Sequence, residues 1–255
     1  MMAGMPGRTT DIAAMPRGGF RASCLDRLLE TDRQEYLDRD DVDDRVKRRV
    51  VGALEWTGRV FGHHQRFAHL VLDLVADIPD PRILELGAGH GAVSRLLLDA
   101  HPTARLTVTD LDPVSVAALA NSELWRDERV SVRTMDATAI DAPDGSFDLA
   151  LFALSFHHLP PAAAARALAE GTRVADTLLL IDLPRPPAPL HLARLATMLP
   201  FSVVGPLAPF VHDGMISSLR CYSPAALRDL ARHAGVDIEF RRGRGLPQVS
   251  VVRRR

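Results

Sequence analysis

From residue 82 onward, short apolar runs alternate with longer segments of helical periodicity. The runs Arg82 to Leu86, Arg105 to Thr109, Val130 to Thr134, Phe147 to Phe152 and Thr177 to Asp182 predict strands. Ala92 to Ala100, Pro113 to Leu124 and Pro161 to Val174 lie between them at helical spacing. That alternation predicts an α/β chain with a parallel sheet and crossover helices. A fourth helix is predicted from Pro224 to Ala234, with Ser223 as its cap and Pro224 in the first helical position. Val236 to Arg241 and Gln248 to Val252, joined around Gly243 and Gly245, read as two closing strands.

Upstream the texture differs. Leu25, Leu28, Leu29, Tyr36 and Leu37 sit among charges at partly helical spacing, and a longer helical stretch runs from about Val42 to Ala76. Gly52, Gly58 and Gly62 mark a break or a close packing point within it. Residues 1–20 have no periodicity and carry repeated glycine and proline, which predicts an untethered tail. Between Pro184 and Tyr222 the alternation stops in a proline-rich, apolar stretch with one short helix expected at His191 to Leu199. The expected organisation is therefore a tail (1–20), a helical N-terminal cap (21–76) and an α/β domain (77–255) carrying a lid or wall at 184–222.

Composition narrows the function classes. The chain has 255 residues, 31 Lys+Arg against 32 Asp+Glu, and a formal net charge of -1. No broad basic footprint exists, so nucleic acid is not an expected partner. Cys24 and Cys221 form no zinc or redox spacing, which suits a reducing compartment. No apolar run approaches the roughly 18 to 20 residues needed to span a bilayer, and the first twenty residues hold no continuous apolar core of a signal peptide. A cytoplasmic enzyme or binding protein is expected, with no oligomeric state indicated.

Chemistry concentrates at Ile83-Leu84-Glu85-Leu86-Gly87-Ala88-Gly89-His90-Gly91-Ala92, where an apolar strand runs into glycines and then a helix. Glycines let the backbone turn sharply and approach a ligand, and the helix start presents free N–H groups. Gly87, Gly89 and Ala92 also satisfy the dinucleotide pattern, and Asp110 stands where an acidic residue would hold a ribose. The loop alone leaves the cofactor open.

The surrounding residues resemble those of the class I S-adenosylmethionine (SAM)-dependent methyltransferases, in particular the menaquinone and ubiquinone biosynthesis branch. The resemblance rests on Glu85-Leu86-Gly87-Ala88-Gly89-His90-Gly91, Val108-Thr109-Asp110-Leu111-Asp112-Pro113, Met135-Asp136-Ala137, Ser146-Phe147-Asp148-Leu149, Ser155-Phe156-His157-His158-Leu159, and Leu178-Leu179-Leu180-Ile181-Asp182 with Arg185-Pro186. It implies a Rossmann-like, mostly parallel seven-stranded sheet with a closing antiparallel strand. It also implies SAM as cofactor, S-adenosylhomocysteine (SAH) as product, and a small-molecule acceptor.

The cofactor's shape then suggests roles. Asp110 is the expected ribose acceptor, because one carboxylate can take both hydroxyl hydrogens. Asp136 and the backbone of Ala137 should meet the adenine edge, with Leu111 and Met135 on its faces. Gly87, Ala88, Gly89 and Gly91 should approach the sugar and amino-acid end, and Glu85 should order the loop or catch the amino group. Asp148, just before a strand, reads instead as a holder of nearby backbone N–H groups.

Methyl transfer needs an aligned acceptor, excluded water and, for some acceptors, removal of a proton. His157 and His158, beyond the fourth strand, are the candidate proton acceptors, with the alternative that they are hydrogen-bonded wall residues. His212, Asp213, Ser217, Arg220 and Tyr222, in the insert, are candidates for the acceptor pocket or for a solvated lid. His63 and His64 are adjacent on a helix and make a poor metal pair. No metal is expected, and the acidic run Asp38 to Asp44 reads as a solvated helix end. The apolar insert suits a sizeable apolar or aromatic acceptor, or alternatively a docking partner. Two other readings are an NAD(P)-dependent oxidoreductase, disfavoured because Lys47 is the only lysine and no Tyr-x-x-x-Lys pair exists, and a non-catalytic SAM/SAH-binding module.

Overall fold

The strands are β1 (Arg82–Leu86), β2 (Arg105–Asp110), β3 (Val130–Thr134), β4 (Phe147–Ala153), β5 (Ala175–Asp182), β6 (Val236–Arg241) and β7 (Gln248–Arg254). A computed structural model describes residues 11–122, 126–203, 205–241 and 247–255. The strands form one sheet in the order β3-β2-β1-β4-β5-β7-β6. β1 to β5 pair in parallel, and β7 runs antiparallel to both β5 and β6. This is the expected seven-stranded, mostly parallel sheet.

The central strands read as continuous apolar runs because both of their faces are covered. Leu84, Leu86, Ala150, Leu178 and Leu180 share one core cluster with residues of α6 (Pro161–Val174) and α9 (Pro224–Ala234). Ile83, Leu149, Leu151, Leu179 and Ile181 share the other with α3 (His63–Leu74) and α4 (Ala92–Ala100). The period-2 geometry of a strand deals successive residues to the two layers.

The helix starts follow the local chemistry. Ser223 Oγ accepts from the Ala226 N–H at 3.1 Å and Pro224 opens α9, as expected. The predicted stretch 42–76 is two helices, α2 (Asp44–Phe61) and α3, separated at Gly62 in a left-handed conformation (φ 62°). Asp112 caps α5 (Pro113–Ala120), which stops short of the predicted Leu124. Leu124 itself and the turn around Gly243 and Gly245 lie outside the described residues.

Two expectations are corrected. Residues 11–20 are not an untethered tail: Ile12, Met15 and Arg17 are buried. Arg17 Nη1 donates to the carbonyls of His157 (3.0 Å) and Leu159 (2.9 Å), and its guanidinium lies 4.5 Å from the Tyr222 ring centre. Together with α1 (Cys24–Leu28), this segment is a strap across the sheet's carboxyl edge. The insert, in turn, holds two helices rather than one, α7 (Ala188–Met198) and α8 (Ala208–Arg220). Pro209 lies in the first turn of α8, where a missing N–H costs nothing, so the proline that seemed to break the helix begins it. Among the described residues, no helix is long and apolar enough to cross a membrane.

Candidate cofactor and acceptor site

The β1–α4 loop is built by positive φ angles at Gly87 (66°), Gly89 (54°) and Gly91 (70°). At Gly89 a side chain would project into open space, whereas at Gly87 it would meet Ser155 Oγ at 2.8 Å. Ser155 also donates to the Leu86 carbonyl (3.1 Å) and follows Leu154, whose φ of 60° is unusual for a branched residue. The loop and the β4 exit are thus fitted against each other. Gly87→Ala is expected to cost about 2 kcal/mol through the left-handed backbone and displacement of Ser155, lowering the melting temperature by roughly 4 to 8 °C. A calorimetric scan checks this.

Glu85 is 3% exposed and turned into the protein, where Ser94 of α4 donates to its carboxylate. Burial raises its carboxyl to about 7, the Ser94 bonds offsetting only part of the desolvation. Thr109 Oγ1 donates to the Glu85 carbonyl (2.8 Å) and the Ala88 N–H to the Thr109 carbonyl (2.9 Å), locking the β1 and β2 exits together.

Asp110 sits at the end of β2. Its Oδ2 accepts from the Gly89 N–H (2.9 Å) and its Oδ1 from the Asp112 N–H (3.0 Å), leaving further lone pairs on both oxygens. The Met135 N–H donates to the Asp110 carbonyl (2.9 Å), so the β3 exit lies alongside. Asp136 is exposed and its Oδ1 accepts from Thr138 N–H and Oγ1, both at 2.8 Å, while Ala137 is half-buried. Of the side chains expected on the two adenine faces, Leu111 is 64% exposed and Met135 is sunk in the core, so Leu111 alone stands free. Open space over Gly89 beside a carboxylate with spare acceptor capacity fits a ribose-bearing ligand. Asp148 accepts from the Arg82 N–H (2.7 Å) and pairs with the Arg82 guanidinium, holding the β1 entrance at the far end of the sheet.

The histidine pair lies on the turn after β4. His157 is buried: its backbone N–H donates to Asp182 Oδ2 (2.9 Å), Nδ1 lies 2.8 Å from Asp182 Oδ1, and Nε2 lies 3.3 Å from Glu35 Oε1. Burial disfavours the charged ring, but Asp182 and Glu35 outweigh it and raise His157 to about 9. His158 is 30% exposed at its side chain, with Nδ1 3.0 Å from Asp38 Oδ2 and Nε2 3.9 Å from Glu35 Oε1. Ser217 of α8 donates to Glu35 Oε1 at 2.6 Å.

The insert candidates divide. Arg220 Nη2 donates to the His158 carbonyl (2.7 Å), with Nη1 3.6 Å from Asp38. His212 stacks on Tyr36 at 4.0 Å between ring centres and lies 3.0 Å from Asp213 Oδ1. Tyr222, expected in the acceptor pocket, is instead in the core, its hydroxyl donating to the Leu159 carbonyl (2.7 Å) beneath Arg17. Its ring fills space between Phe156 and Leu227, which is why it is not a free wall. Glu35, Asp38, Asp182 and Ser155 were not singled out from the sequence as site residues. Only Asp182, at a carboxyl strand end, carried a positional signal. His64 of α3 lies 5.8 Å, ring centre to ring centre, from His90 of the glycine loop.

Residues 83–177 match the sequence family described as a methyltransferase domain. The chain is 28% identical to the demethylmenaquinone methyltransferase of Thermus thermophilus, over 71% of this chain and 85% of that protein. It is 35% identical to a ubiquinone biosynthesis O-methyltransferase of Xanthomonas campestris, over 48% of this chain and 52% of that one, so it spans about half of the latter relative's length. Among solved structures, the pyocyanin biosynthetic protein PhzM superposes with a TM-score of 0.56 and 21% identity, covering 74% of this chain and 54% of that chain. That last likeness is one of fold.

Proposed function

Because the chain belongs to the class I SAM-dependent methyltransferases, we propose that it transfers a methyl group to an O, N or C atom of a small, apolar or aromatic acceptor in the cytoplasm. The observation that carries the site assignment is the Asp110 carboxylate bonded to the Gly89 N–H of the glycine loop. One group orders the loop and presents acceptor lone pairs on the ligand-facing edge. Bound SAM supplies the activated methyl on a sulfonium, so the protein needs no nucleophile of its own.

The roles assigned to the residues follow from their positions. Asp110 holds the ribose hydroxyls, Asp136 and the Ala137 backbone meet the adenine edge, and Gly87, Ala88, Gly89 and Gly91 let the backbone close on the rest. Glu85 orders the loop from behind through Ser94. His157, flanked by two carboxylates and buried, is a positioning residue, whereas His158, on the exposed side of the pair, faces the acceptor's polar group. The two insert helices supply the apolar wall, with Leu190, Leu199, Phe201 and Leu207 exposed along them and between them.

Calorimetric titration with SAM, SAH, NADH and NADPH tests the reading. SAM and SAH are expected to bind and the nicotinamide cofactors not to; binding of NADH or NADPH alone sinks the proposal. Asp110→Ala is expected to weaken SAM at least tenfold, about 1.4 kcal/mol. Unchanged affinity in a folded variant would remove Asp110 from the site. An acceptor screen with labelled methyl, scored by SAH formation, tests the small-molecule part.

A further inference from the structure

The side chains at the strap's contact with the β4 turn converge on one carboxylate oxygen, Glu35 Oε1. His157 and His158 each direct Nδ1 at a carboxylate, Asp182 (2.8 Å) and Asp38 (3.0 Å) respectively. In the neutral rings, with the N–H spent there, each Nε2 carries a lone pair, and both are near the same Glu35 Oε1, at 3.3 and 3.9 Å. The Ser217 hydroxyl hydrogen points at that oxygen too, fixing the carboxylate from outside. In that form three lone-pair donors meet in a space where Glu35 and His157 are buried, and the positive charge among them is either a second ring proton on His157 or a bound cation.

We propose that Glu35 Oε1, His157 Nε2 and His158 Nε2 are the ligands of a divalent transition-metal site of the zinc type. The three ligand atoms all lie within 4.8 Å of one another. Two ligands at about 2.05 Å from a tetrahedral metal stand roughly 3.3 Å apart, the separation of His157 Nε2 and Glu35 Oε1. Two imidazoles with one carboxylate are a known zinc donor set, and each ligand here has an outer partner: Asp182, Asp38 and Ser217. Carboxylate-held histidines with the opposite nitrogen free are how metal-binding rings are oriented.

Glu35, Asp38 and Asp182 place three carboxylates around the pair, with the guanidiniums of Arg220, 3.6 Å from Asp38, and Arg17, 3.0 Å from the His157 carbonyl, beside them. A dication bound there takes the place of the second ring proton of His157. The neighbouring grouping of His157, Asp182 and Cys221 is a weaker candidate, because Asp182 already accepts from the His157 backbone, the His157 ring and the Leu183 N–H. The side chains of His157 and Glu35 are 3% and 8% exposed against 30% for His158, so the fourth coordination position opens on the His158 side, toward small molecules. The proposal concerns cation binding and stands independently of the methyl-transfer reading.

The test uses the full chain carrying Cys24→Ser, because exposed Cys24 is a competing soft ligand. Protein stripped with a chelator is titrated with Zn²⁺ against a chromophoric chelator, and separately with Co²⁺ followed by its visible absorption. One equivalent per chain is expected, with Co²⁺ bands of a nitrogen- and oxygen-ligated centre. Glu35→Gln and His158→Ala should each weaken Zn²⁺ at least tenfold. Asp38→Asn, which leaves all three ligands in place, should weaken it less while circular dichroism stays unchanged. Lack of uptake by the parent chain overturns the site, and so does uptake that is equal in parent, Glu35→Gln and His158→Ala. Because the readout is metal occupancy, its failure leaves the SAM-binding result untouched.

Discussion

Replacing Arg185 with alanine is expected to destabilise the protein by about 3 to 5 kcal/mol, more than any loss from a surface charge. The guanidinium is fully buried and fans out to two distant parts of the chain, residues 26–29 and 219–221. Nη2 donates to the carbonyls of Asp26 (2.8 Å) and Leu29 (2.9 Å), Nη1 to that of Leu219 (3.1 Å), and Nε to the Asp26 carboxylate (2.9 Å). Its removal strands carbonyl oxygens and a mostly buried carboxylate, which is where the cost arises. Lysine would recover only a fraction, because a point charge cannot reproduce the planar fork. Urea unfolding of wild type, Arg185→Ala and Arg185→Lys measures the effect, and a loss under 1 kcal/mol in the alanine variant would contradict the account.

The second large effect is a pH dependence centred on Glu85. Its folded-state pKa is raised to about 7 from an ordinary value of 4.5, so the unfolded chain releases this proton first as pH rises. Its contribution is fully present below pH 4.5, is lost as pH climbs through 7, and is constant beyond that. The full difference amounts to about 3 kcal/mol. Glu85→Gln keeps an acceptor for Ser94 without the charge and should flatten that component. The variant is expected to gain stability over wild type at pH 8 and to match it near pH 4.5. Equal differences at both pH values would show that Glu85 ionises freely in the folded state.

The sheet was legible because its signals are local. β1, β3, β6, α4, α6 and α9 fall at their expected bounds, each framed by its own caps, glycines or prolines. The glycine loop and the carboxylates after β2 and β3 were equally readable, since a strand-end position fixes which edge a residue faces. What could not be read is held by polar contacts over long separations. Residues 11–20 lack an apolar period because their anchor is the Arg17 guanidinium on carbonyls 140 and 142 residues away. Asp38, read as part of a solvated helix end, meets His158 across 120 positions. Helix α8 was hidden for another reason: Pro206, Pro209 and Gly214 resemble punctuation until the register shows that Pro209 lies in a first turn.

The placement of β7 has a consequence for the protein as it leaves the ribosome. It is the last of the seven strands in the chain, yet it lies between β5 and β6. Until residues 248–254 emerge, β5 has Leu178 to Ile181 backbone groups bare along one side, and β6 has no neighbour. A nascent chain therefore carries an open, apolar edge through the synthesis of about seventy residues, a surface suited to chaperone capture and to mispairing between neighbouring chains. Closure comes as a single late event, in which one strand fills the gap and joins two half-built pieces.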